Sequence, residues 1–179
     1  LPCCAACWEA DESTGCPRCW KCDFPLLAEP GPNGRRSCEN CIGRSFAAAR
    51  TAGIYAGALR AAILRLKQVP SVSGRLVGRL VETAARLPLT PDLITAPPLH
   101  PVRLRERGFN QAELLAGKLS KETGIRANFS ILSKTMHTAR HRAAQDRKDR
   151  EESLRQSFEV RAPRAIRGRN VLIVDDLMT

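Results

Sequence analysis

Two pairs of cysteines near the N-terminus have the spacing of a metal site. Cys19 and Cys22 form one C-x2-C pair, Cys38 and Cys41 form another, and fifteen residues separate the pairs. Each pair makes a tight turn that points two thiolates at one ion, and two such turns complete the tetrahedron that zinc prefers. Four thiolates leave no coordination position open for a substrate. The spacing therefore predicts structural zinc, not a catalytic metal.

The remaining cysteines leave the number of metal ions open. All eight cysteines fall within residues 1–41, which favours metal binding in a reducing compartment over a disulfide framework. Cys4 and Cys7 form a further C-x2-C pair, but its partner is ambiguous because Cys16 is also spaced as a pair with Cys19. The alternatives are spare thiols, a partner pair upstream of the sequence, or an imperfect second site made of Cys3, Cys4, Cys7 and Cys16.

A second group that could do chemistry is the carboxylate pair Asp175 and Asp176, which follows the apolar residues 171–174. Neighbouring carboxylates can accept hydrogen bonds from two ribose hydroxyls, hold Mg²⁺ as a Walker B strand does, or cap the next turn. A Walker B site requires an upstream phosphate-binding loop of the pattern G-x-x-x-x-G-K-[ST]. The sequence contains no such loop. Ribose binding and capping therefore remain as interpretations.

Two further segments favour a phosphorylated ligand. Residues 96–100 (APPLH) are a proline-constrained loop after an apolar strand, and residues 103–111 (RLRERGFNQ) are a basic loop that leads into a helix. Free backbone N–H groups and the dipole attract phosphate at a helix N-terminus. The residues of this basic loop that we predict to contact phosphate are Arg103, Arg107, Asn110 and Gln111.

The elements that must position these groups begin near residue 46, where the composition changes from cysteine- and glycine-rich to alanine-, leucine- and arginine-rich. Apolar residues at helical spacing predict helices that end before Pro70 and Pro88. Asn110 and Glu113 have the spacing of a capping box for a third helix, which ends at Gly124. A fourth, highly charged helix is predicted over residues 146–156.

Short apolar runs alternate with these helices, and Gly168 marks a turn before the last run. We predict strands at residues 50–55, 93–96, 129–132 and 171–174. Four apolar residues in succession are typical of a central strand buried on both faces of a parallel sheet. Alternating strands and helices predict an α/β fold. The domain division predicted from composition is a cysteine-rich module in residues 1–45 and a larger domain in residues 46–179.

The charge of the chain is concentrated in the larger domain. Residues 1–45 carry five basic and six acidic side chains, whereas residues 46–179 carry 24 basic and 12 acidic side chains. Such a field attracts phosphate on a small ligand or a nucleic acid, although a solvated arginine-rich surface has the same composition. Aromatic residues are only 4% of the chain, so few bases could stack. The basic residues that we predict to contact nucleic acid are Arg140, Arg142, Arg147, Lys148 and Arg150.

Taken together, three motifs resemble the ComF (ComFC) family, whose members carry a type I phosphoribosyltransferase domain. The motifs are RGFNQA at residues 107–112, PPLHP at 97–101 and VLIVDDLMT at 171–179, and the cysteine pairs ahead of YAGAL at 55–59 and Lys67 also fit. The resemblance implies a type I phosphoribosyltransferase-like parallel sheet, truncated at the C-terminus and preceded by a zinc-ribbon module. It also implies a cytoplasmic bacterial protein linked to natural transformation, DNA uptake and the handling of single-stranded DNA.

The same resemblance implies a site for phosphoribosyl pyrophosphate. Asp175 and Asp176 would hold its ribose hydroxyls, while Mg²⁺ would neutralise its diphosphate. The loop around the 5-phosphate would start with Leu177, Met178 and Thr179. The pyrophosphate loop would be lined by Pro97, Pro98 and Leu99. The family continues with Thr and Gly after this point and has Asn where Ser153 stands, so the sequence departs from the family pattern at these positions. The family also has a Gln near the start of the charged helix, where Gln145 stands in this chain.

Three hypotheses follow from these residues. We favour a competence factor that binds single-stranded DNA and phosphoribosyl pyrophosphate. The alternative is an active, Mg²⁺-dependent phosphoribosyltransferase acting on an unidentified base, for which none of the histidines, His100, His137 and His141, is a clear catalyst. A third reading is an assembly module whose zinc ribbon docks a DNA-uptake helicase. The sequence has no apolar run long enough for a transmembrane helix.

Overall fold

The computed structural model of the protein describes residues 3–9, 17–26, 38–41, 43–135 and 157–178. Within these residues the chain forms two compact units. The first is drawn from Leu1–Arg65, Ser73–Thr90 and Leu177–Thr179, and the second from Leu66–Val72 and Pro91–Asp176. The division into a cysteine-rich module and a larger domain at residue 45, which composition predicts, stays a prediction.

Helices dominate the first part of the chain. The elements in chain order are helix α1 (Ala5–Glu9), a short 3-10 turn (Glu39–Cys41), helix α2 (Gly57–Leu66) and helix α3 (Gly74–Ala85). Both longer helices were predicted from apolar spacing. Helix α3 begins where the Ser73 hydroxyl accepts a hydrogen bond from the Leu76 amide, which satisfies one of the free N–H groups of its first turn.

Residues 50–55 do not form the strand that their apolar character predicted. Their carbonyl groups are used by arginine side chains instead: Arg86 donates to Thr51 O, and Arg79 donates to Ala52 O. Gly53 has a φ of +154°, and a Cβ there would lie 3.1 Å from Leu59 Cδ2. The close approach and the backbone angle both favour glycine and interrupt the extended chain.

Strands and helices alternate in the second part of the chain. The elements in order are strand β1 (Leu93–Thr95), helix α4 (Pro101–Arg107), helix α5 (Gln111–Thr123), strand β2 (Leu132–Lys134), strand β3 (Phe158–Val160), helix α6 (Pro163–Ile166) and strand β4 (Val171–Ile173). Strands β1 and β4 pair in parallel, and β2 and β3 pair antiparallel. The mixed α/β class is confirmed; a phosphoribosyltransferase-like sheet stays a prediction.

Strand β1 is the most deeply buried strand of the described sheet. Leu93, Ile94 and Thr95 are at most 2% exposed, and Ile94 also bridges Ala127 on the side away from β4. Helix α5 packs on β1 and buries its apolar stripe of Ala112, Leu115, Ala116 and Leu119. Gly124 ends α5 in the left-handed conformation, as predicted. This arrangement buries β1 between its neighbours on both sides and α5.

Three details of the predicted strands and helices differ from the structure or lie outside it. Strand β4 is not buried on both faces, because Ile173 is 56% exposed; it pairs with β1 on one side only among the described residues. Strand β2 begins at Leu132 rather than Phe129, because the Asn128 side chain accepts hydrogen bonds from the amide and hydroxyl of Ser130 and forms a turn.

The charged helix predicted at residues 146–156 lies outside the described residues. No helix among the described residues is long and apolar enough to span a membrane.

Candidate metal centre and candidate ligand site

The four cysteines predicted to bind zinc come together. The sulfurs of Cys19, Cys22, Cys38 and Cys41 all lie within 4.8 Å of one another. The individual separations are 3.8 Å between Cys19 and Cys41, 3.5 Å between Cys22 and Cys38, and 3.6 Å between Cys38 and Cys41. A tetrahedral zinc ion with Zn–S bonds of about 2.3 Å requires edges of about 3.8 Å, whereas a disulfide requires about 2.05 Å. The donor set therefore fits a metal such as zinc.

The backbone of each turn directs N–H groups toward the sulfurs. The Cys38 amide donates to Cys19 Sγ at 3.3 Å. Burial disfavours the Cys19 thiolate, but N–H groups of Cys38, Cys22 and Lys21 outweigh it and lower the pKa of Cys19 to about 6. Burial, and then the neighbouring Cys41 thiol, raise the pKa of Cys22. An uncompensated cluster of buried thiols thus resists losing all its protons, and a cation at its centre would remove that resistance.

Asp23 ties this cluster to residues well beyond it. Its carboxylate accepts hydrogen bonds at 3.0 Å from both the amide and the hydroxyl of Thr51. The guanidinium groups of Arg18 and Arg86 each lie 3.6 Å from the same oxygen. Asp23 is 5% exposed and has a φ of 64°, which an Asp tolerates better than most residues. No spacing pattern identifies this residue in the sequence, because its partners are distant in the chain.

Only some of the cysteines predicted to form a second site are among the described residues. The Cys4 thiol donates to Cys7 Sγ at 3.4 Å, so this C-x2-C pair does form a turn. Cys3 and Cys4 are described, whereas Cys16 lies outside the described residues. Among the residues that are described, the cluster of Cys19, Cys22, Cys38 and Cys41 is the one group of three or more ligand-type side chains close enough to share an ion. A second site stays a prediction.

The carboxylate pair lies where a parallel sheet places functional residues. Leu93 pairs with Val171 and Thr95 with Ile173, and the Val174 amide donates to Thr95 O at 2.9 Å. The carboxyl ends of β1 and β4 therefore meet at one edge, where ligands bind in open α/β sheets. The loop of Pro97, Pro98 and Leu99 leaves β1 at this edge, and Asp175 and Asp176 leave β4 beside it. We call these two segments the carboxylate edge.

The two carboxylates have different surroundings. Asp176 is largely buried, and its Oδ2 lies 2.9 Å from Lys67 Nζ. This contact is an ion pair and not a directed hydrogen bond, since the same oxygen lacks a hydrogen-bond partner of acceptable geometry. Asp175 is more exposed, and its Oδ1 accepts from the Asp176 amide at 2.8 Å. Desolvation by nearby protein atoms, and then the neighbouring Asp176 carboxylate, raise the pKa of Asp175 to about 6.

Asn110 connects the start of α5 to the proline loop. Its Oδ1 accepts from the Ala112 amide at 3.0 Å, which caps the helix, and its Nδ2 donates to Pro97 O at 2.9 Å. Glu113 completes the predicted capping pair differently from expectation: its carboxylate accepts from Asn110 Nδ2 and not from the backbone. One buried side chain thereby fixes both a helix N-terminus and the loop at the carboxylate edge.

The segment predicted to be a basic loop is helical. Residues Pro101–Arg107 form α4, which is capped by His100 Nδ1 accepting from the Val102 amide. Proline at the first position and the capping side chain favour helix there, and this outweighed the charge pattern on which we based a loop. Arg107 donates to Gln111 Oε1, so both predicted phosphate ligands already contact each other. A phosphate-binding role for Arg103, Arg107, Asn110 and Gln111 stays a prediction.

Several predicted site residues are described only in part or not at all. Leu177 and Met178 follow the carboxylates, and Met178 is 52% exposed. Thr179 and the proposed nucleic-acid residues Arg140, Arg142, Arg147, Lys148 and Arg150 lie outside the described residues, as do His137 and His141. Conversely, Lys67 entered the sequence analysis only as part of a family motif, and its contact with Asp176 could not be read from spacing.

Known proteins resemble this chain along most of its length. It is 29% identical to DNA utilization protein YhgH of Escherichia coli K12, with 98% of this chain and 78% of that protein covered. The protein of the same name from Shigella flexneri matches with the same figures. Competence protein F of Haemophilus influenzae is 33% identical over 50% of this chain and 39% of that protein. No family model and no solved structure matches the chain.

The fold and the sites define an α/β protein with a four-thiolate cluster, related to proteins of competence and DNA utilization. These relatives support the resemblance to the ComF family that the motifs predicted.

Proposed function

We propose that this protein handles single-stranded DNA and binds phosphoribosyl pyrophosphate at the carboxylate edge. The observation that carries the second part is the parallel pairing of β1 with β4. It brings the loop of Pro97 and the carboxylates of Asp175 and Asp176 to the same edge of one sheet. A ligand there would meet two acceptors and a constrained backbone together. A type I phosphoribosyltransferase-like fold is part of this proposal.

The chemistry of the edge suits a ribose bearing phosphates. Two adjacent carboxylates can accept hydrogen bonds from two adjacent hydroxyls, and Lys67 beside Asp176 adds a cation. The backbone of residues 97–99 would face the diphosphate, and Asn110 would hold that backbone in place. Bound Mg²⁺ would neutralise the diphosphate, and the exposed Asp175 is a carboxylate that could hold it.

Handling of DNA rests on the charge of the chain and on its relatives. Residues 46–179 carry twice as many basic as acidic side chains, and two relatives are named for DNA utilization and competence. A cytoplasmic location accords with this role and with the thiol cluster, which needs reducing conditions. Docking of the cysteine module to an uptake helicase belongs to the same proposal as a secondary role.

Calorimetric titration of the full-length chain with phosphoribosyl pyrophosphate and Mg²⁺ tests the site. We expect binding in wild type, and a loss of at least tenfold in Asp175→Asn and in Asp176→Asn. The matched control is Glu122→Gln, which neutralises an exposed carboxylate at the far end of α5. Absence of heat at millimolar ligand, or equal affinity in all variants, would refute the site. A parallel salt titration with a labelled oligonucleotide tests DNA binding.

One observation favours the second candidate, an active phosphoribosyltransferase. The raised pKa of Asp175, about 6, suits a group that exchanges a proton near neutral pH. Release of pyrophosphate in the presence of a panel of nucleobases would establish turnover. Binding without release under any base would leave the protein as a ligand-binding factor.

A further inference from the structure

The hairpin of β2 and β3 carries an exposed aromatic ring next to a cation. Phe158 pairs with Lys134 across the hairpin, and the Lys134 ammonium lies 5.2 Å from the ring centroid. The ladder bonds at either end join Thr135 with Ser157 and Arg161 with Ile131, so Lys134 and Phe158 form a non-hydrogen-bonded pair. Side chains approach most closely in such pairs. The ring remains 36% exposed, and Val160 on the same face is 43% exposed.

Within the described part of the chain, no carboxylate forms an ion pair with Lys134 or Arg103. Partial burial, and then the charge of Arg103 in α4, lower the pKa of Lys134, so two positive groups repel each other here. Glu159 lies on the opposite face of the hairpin, because successive strand residues alternate. An anion between Lys134 and Arg103 would relieve their repulsion.

The segment after the hairpin extends the positive charge. Four arginines follow Phe158 within residues 161–169, and Glu159 is the only acidic residue between Phe158 and Asn170. All four arginines are exposed: Arg161, Arg164, Arg167 and Arg169. A chain with few aromatic residues therefore exposes one of them at the start of a basic tract.

We propose that the hairpin face formed by Lys134, Phe158 and Val160 is a binding surface for single-stranded nucleic acid. One base would stack on Phe158, and a phosphate would bind Lys134 within the field of Arg103 in α4. The hairpin face shares no residue with the carboxylate edge, and the inference rests on the proposed binding of single-stranded DNA. Stacking requires an unpaired base, because the bases of a duplex already stack on one another. Stacking on a ring together with phosphate contacts tolerates any sequence.

Fluorescence anisotropy with a labelled oligo-dT and the full-length chain tests the surface. Phe158→Ala should weaken binding about 5- to 100-fold, the effect of losing one stacked base. The salt slope should not change, because the ring releases no counterions. Lys134→Ala should instead lower the salt slope by about 0.7 for the phosphate contact it loses. The matched control is Phe24→Ala, which removes an aromatic side chain that is 51% exposed elsewhere in the chain.

Two further measurements separate stacking from folding and from charge. Phe158→Leu keeps an apolar side chain in the hairpin but removes the aromatic face, so it should bind the oligonucleotide as weakly as Phe158→Ala. Phe158→Trp restores an aromatic face and should restore affinity. A fully abasic strand of the same length should bind wild type and Phe158→Ala equally. Wild-type affinity in Phe158→Leu, or a loss of affinity for the abasic strand in Phe158→Ala, would overturn the proposal. If the wild-type chain binds no single strand at any salt, the proposed DNA function itself fails, and this surface with it.

Discussion

The cysteine cluster and the carboxylate edge each place ionisable groups of the same type side by side. The repulsion between their negative charges is compensated differently in the two regions. In the cluster, three of the four cysteines are buried and the sulfurs already stand at tetrahedral separations. At the carboxylate edge, Asp176 is matched by Lys67, but Asp175 stays exposed with a raised pKa. The first arrangement is closed and complete once one ion is present. The second keeps a carboxylate that is only partly compensated facing solvent, which is what a ligand site requires.

The contrast shows that the role of a group of side chains can be inferred from how completely its surroundings, or one bound ion, neutralise it. A group of donors that needs a single ion and leaves no coordination position open serves folding. A group that its surroundings compensate only in part serves recognition, because the missing interaction is available to a ligand. The predictions below test this distinction, beginning with the region where the free energy at stake is largest.

Loss of one metal ligand should have the largest effect. Cys22→Ser removes a buried sulfur, and structural zinc contributes about 10 kcal/mol or more to folding, which exceeds the stability of most domains. We expect loss of bound zinc and of cooperative unfolding in the first unit, measured by elemental analysis and thermal melting. Cys4→Ser is the control and should keep one zinc per chain. A Cys22→Ser protein with full zinc content would remove the distinction drawn above.

The contacts around the cluster should matter next. Asp23→Ala removes the acceptor for two hydrogen bonds from Thr51 and places Ala in a left-handed conformation. Hydrogen bonds to a charged acceptor contribute about 1.5–3 kcal/mol each at most, and the partly exposed arginines add little. We expect a loss of about 2–3 kcal/mol in urea unfolding of the zinc-loaded protein.

Asp23→Asn is the matched control for that measurement, since asparagine tolerates the same backbone angle and keeps one oxygen acceptor. It should lose about half as much stability. Equal losses in the two variants would mean that the charge of Asp23, and not its hydrogen bonds, stabilises the structure around the cysteine cluster.

At the carboxylate edge, the capping residue should have a smaller effect on stability and a larger one on binding. Asn110→Ala removes the cap of α5 and the contact with Pro97, and loss of a cap costs about 1 kcal/mol. Asn110→Ser retains a capping oxygen but has no amide to donate to Pro97. We expect Ser to restore stability but not affinity for phosphoribosyl pyrophosphate. Restoration of both would show that the proline loop needs no anchor.

The smallest expected effect is a pH-dependent gain in stability. The pKa of Asp175 is raised from 3.8 to about 6 in the folded protein, so between these pH values the folded state binds more protons than the unfolded chain. Stability then falls as pH rises through this window. Asp175→Asn should therefore stabilise the protein at pH 7.5 by up to about 1 kcal/mol, the solvent exposure of the residue limiting the gain. No difference should appear at pH 3.5, and urea unfolding at both values provides the comparison.

The parts of the structure that local patterns control were predictable. The spacing of Cys19 to Cys41 predicted their convergence, and Asn110 and Gly124 predicted both ends of α5. Apolar spacing with a following proline predicted α2 and α3. In each case the signal is a short local spacing, within a C-x2-C pair or within one helix and the residues that flank it.

The parts that depend on distant partners were not predictable. The exposure of Ile173 depends on which strands flank β4, and four apolar letters in a row carry no such information. Residues 50–55 lost strand structure because arginines from α3 and its C-terminal end use their carbonyls. The pairing of Lys67 with Asp176 joins opposite ends of the second unit's sequence. The sequence therefore predicted which carboxylates lie at the candidate site, but it did not predict the ion pair that compensates the charge of Asp176.

The position of Asp23 also makes the metal centre responsive. Asp23 follows Cys22 directly and contacts Arg86, the residue at the C-terminal end of α3. If an ion at the cluster orders Asp23, it also favours this contact, and the contact favours the ion by the same coupling free energy. A substitution at Arg86 would then weaken zinc binding only slightly, because a partly exposed ion pair contributes little free energy.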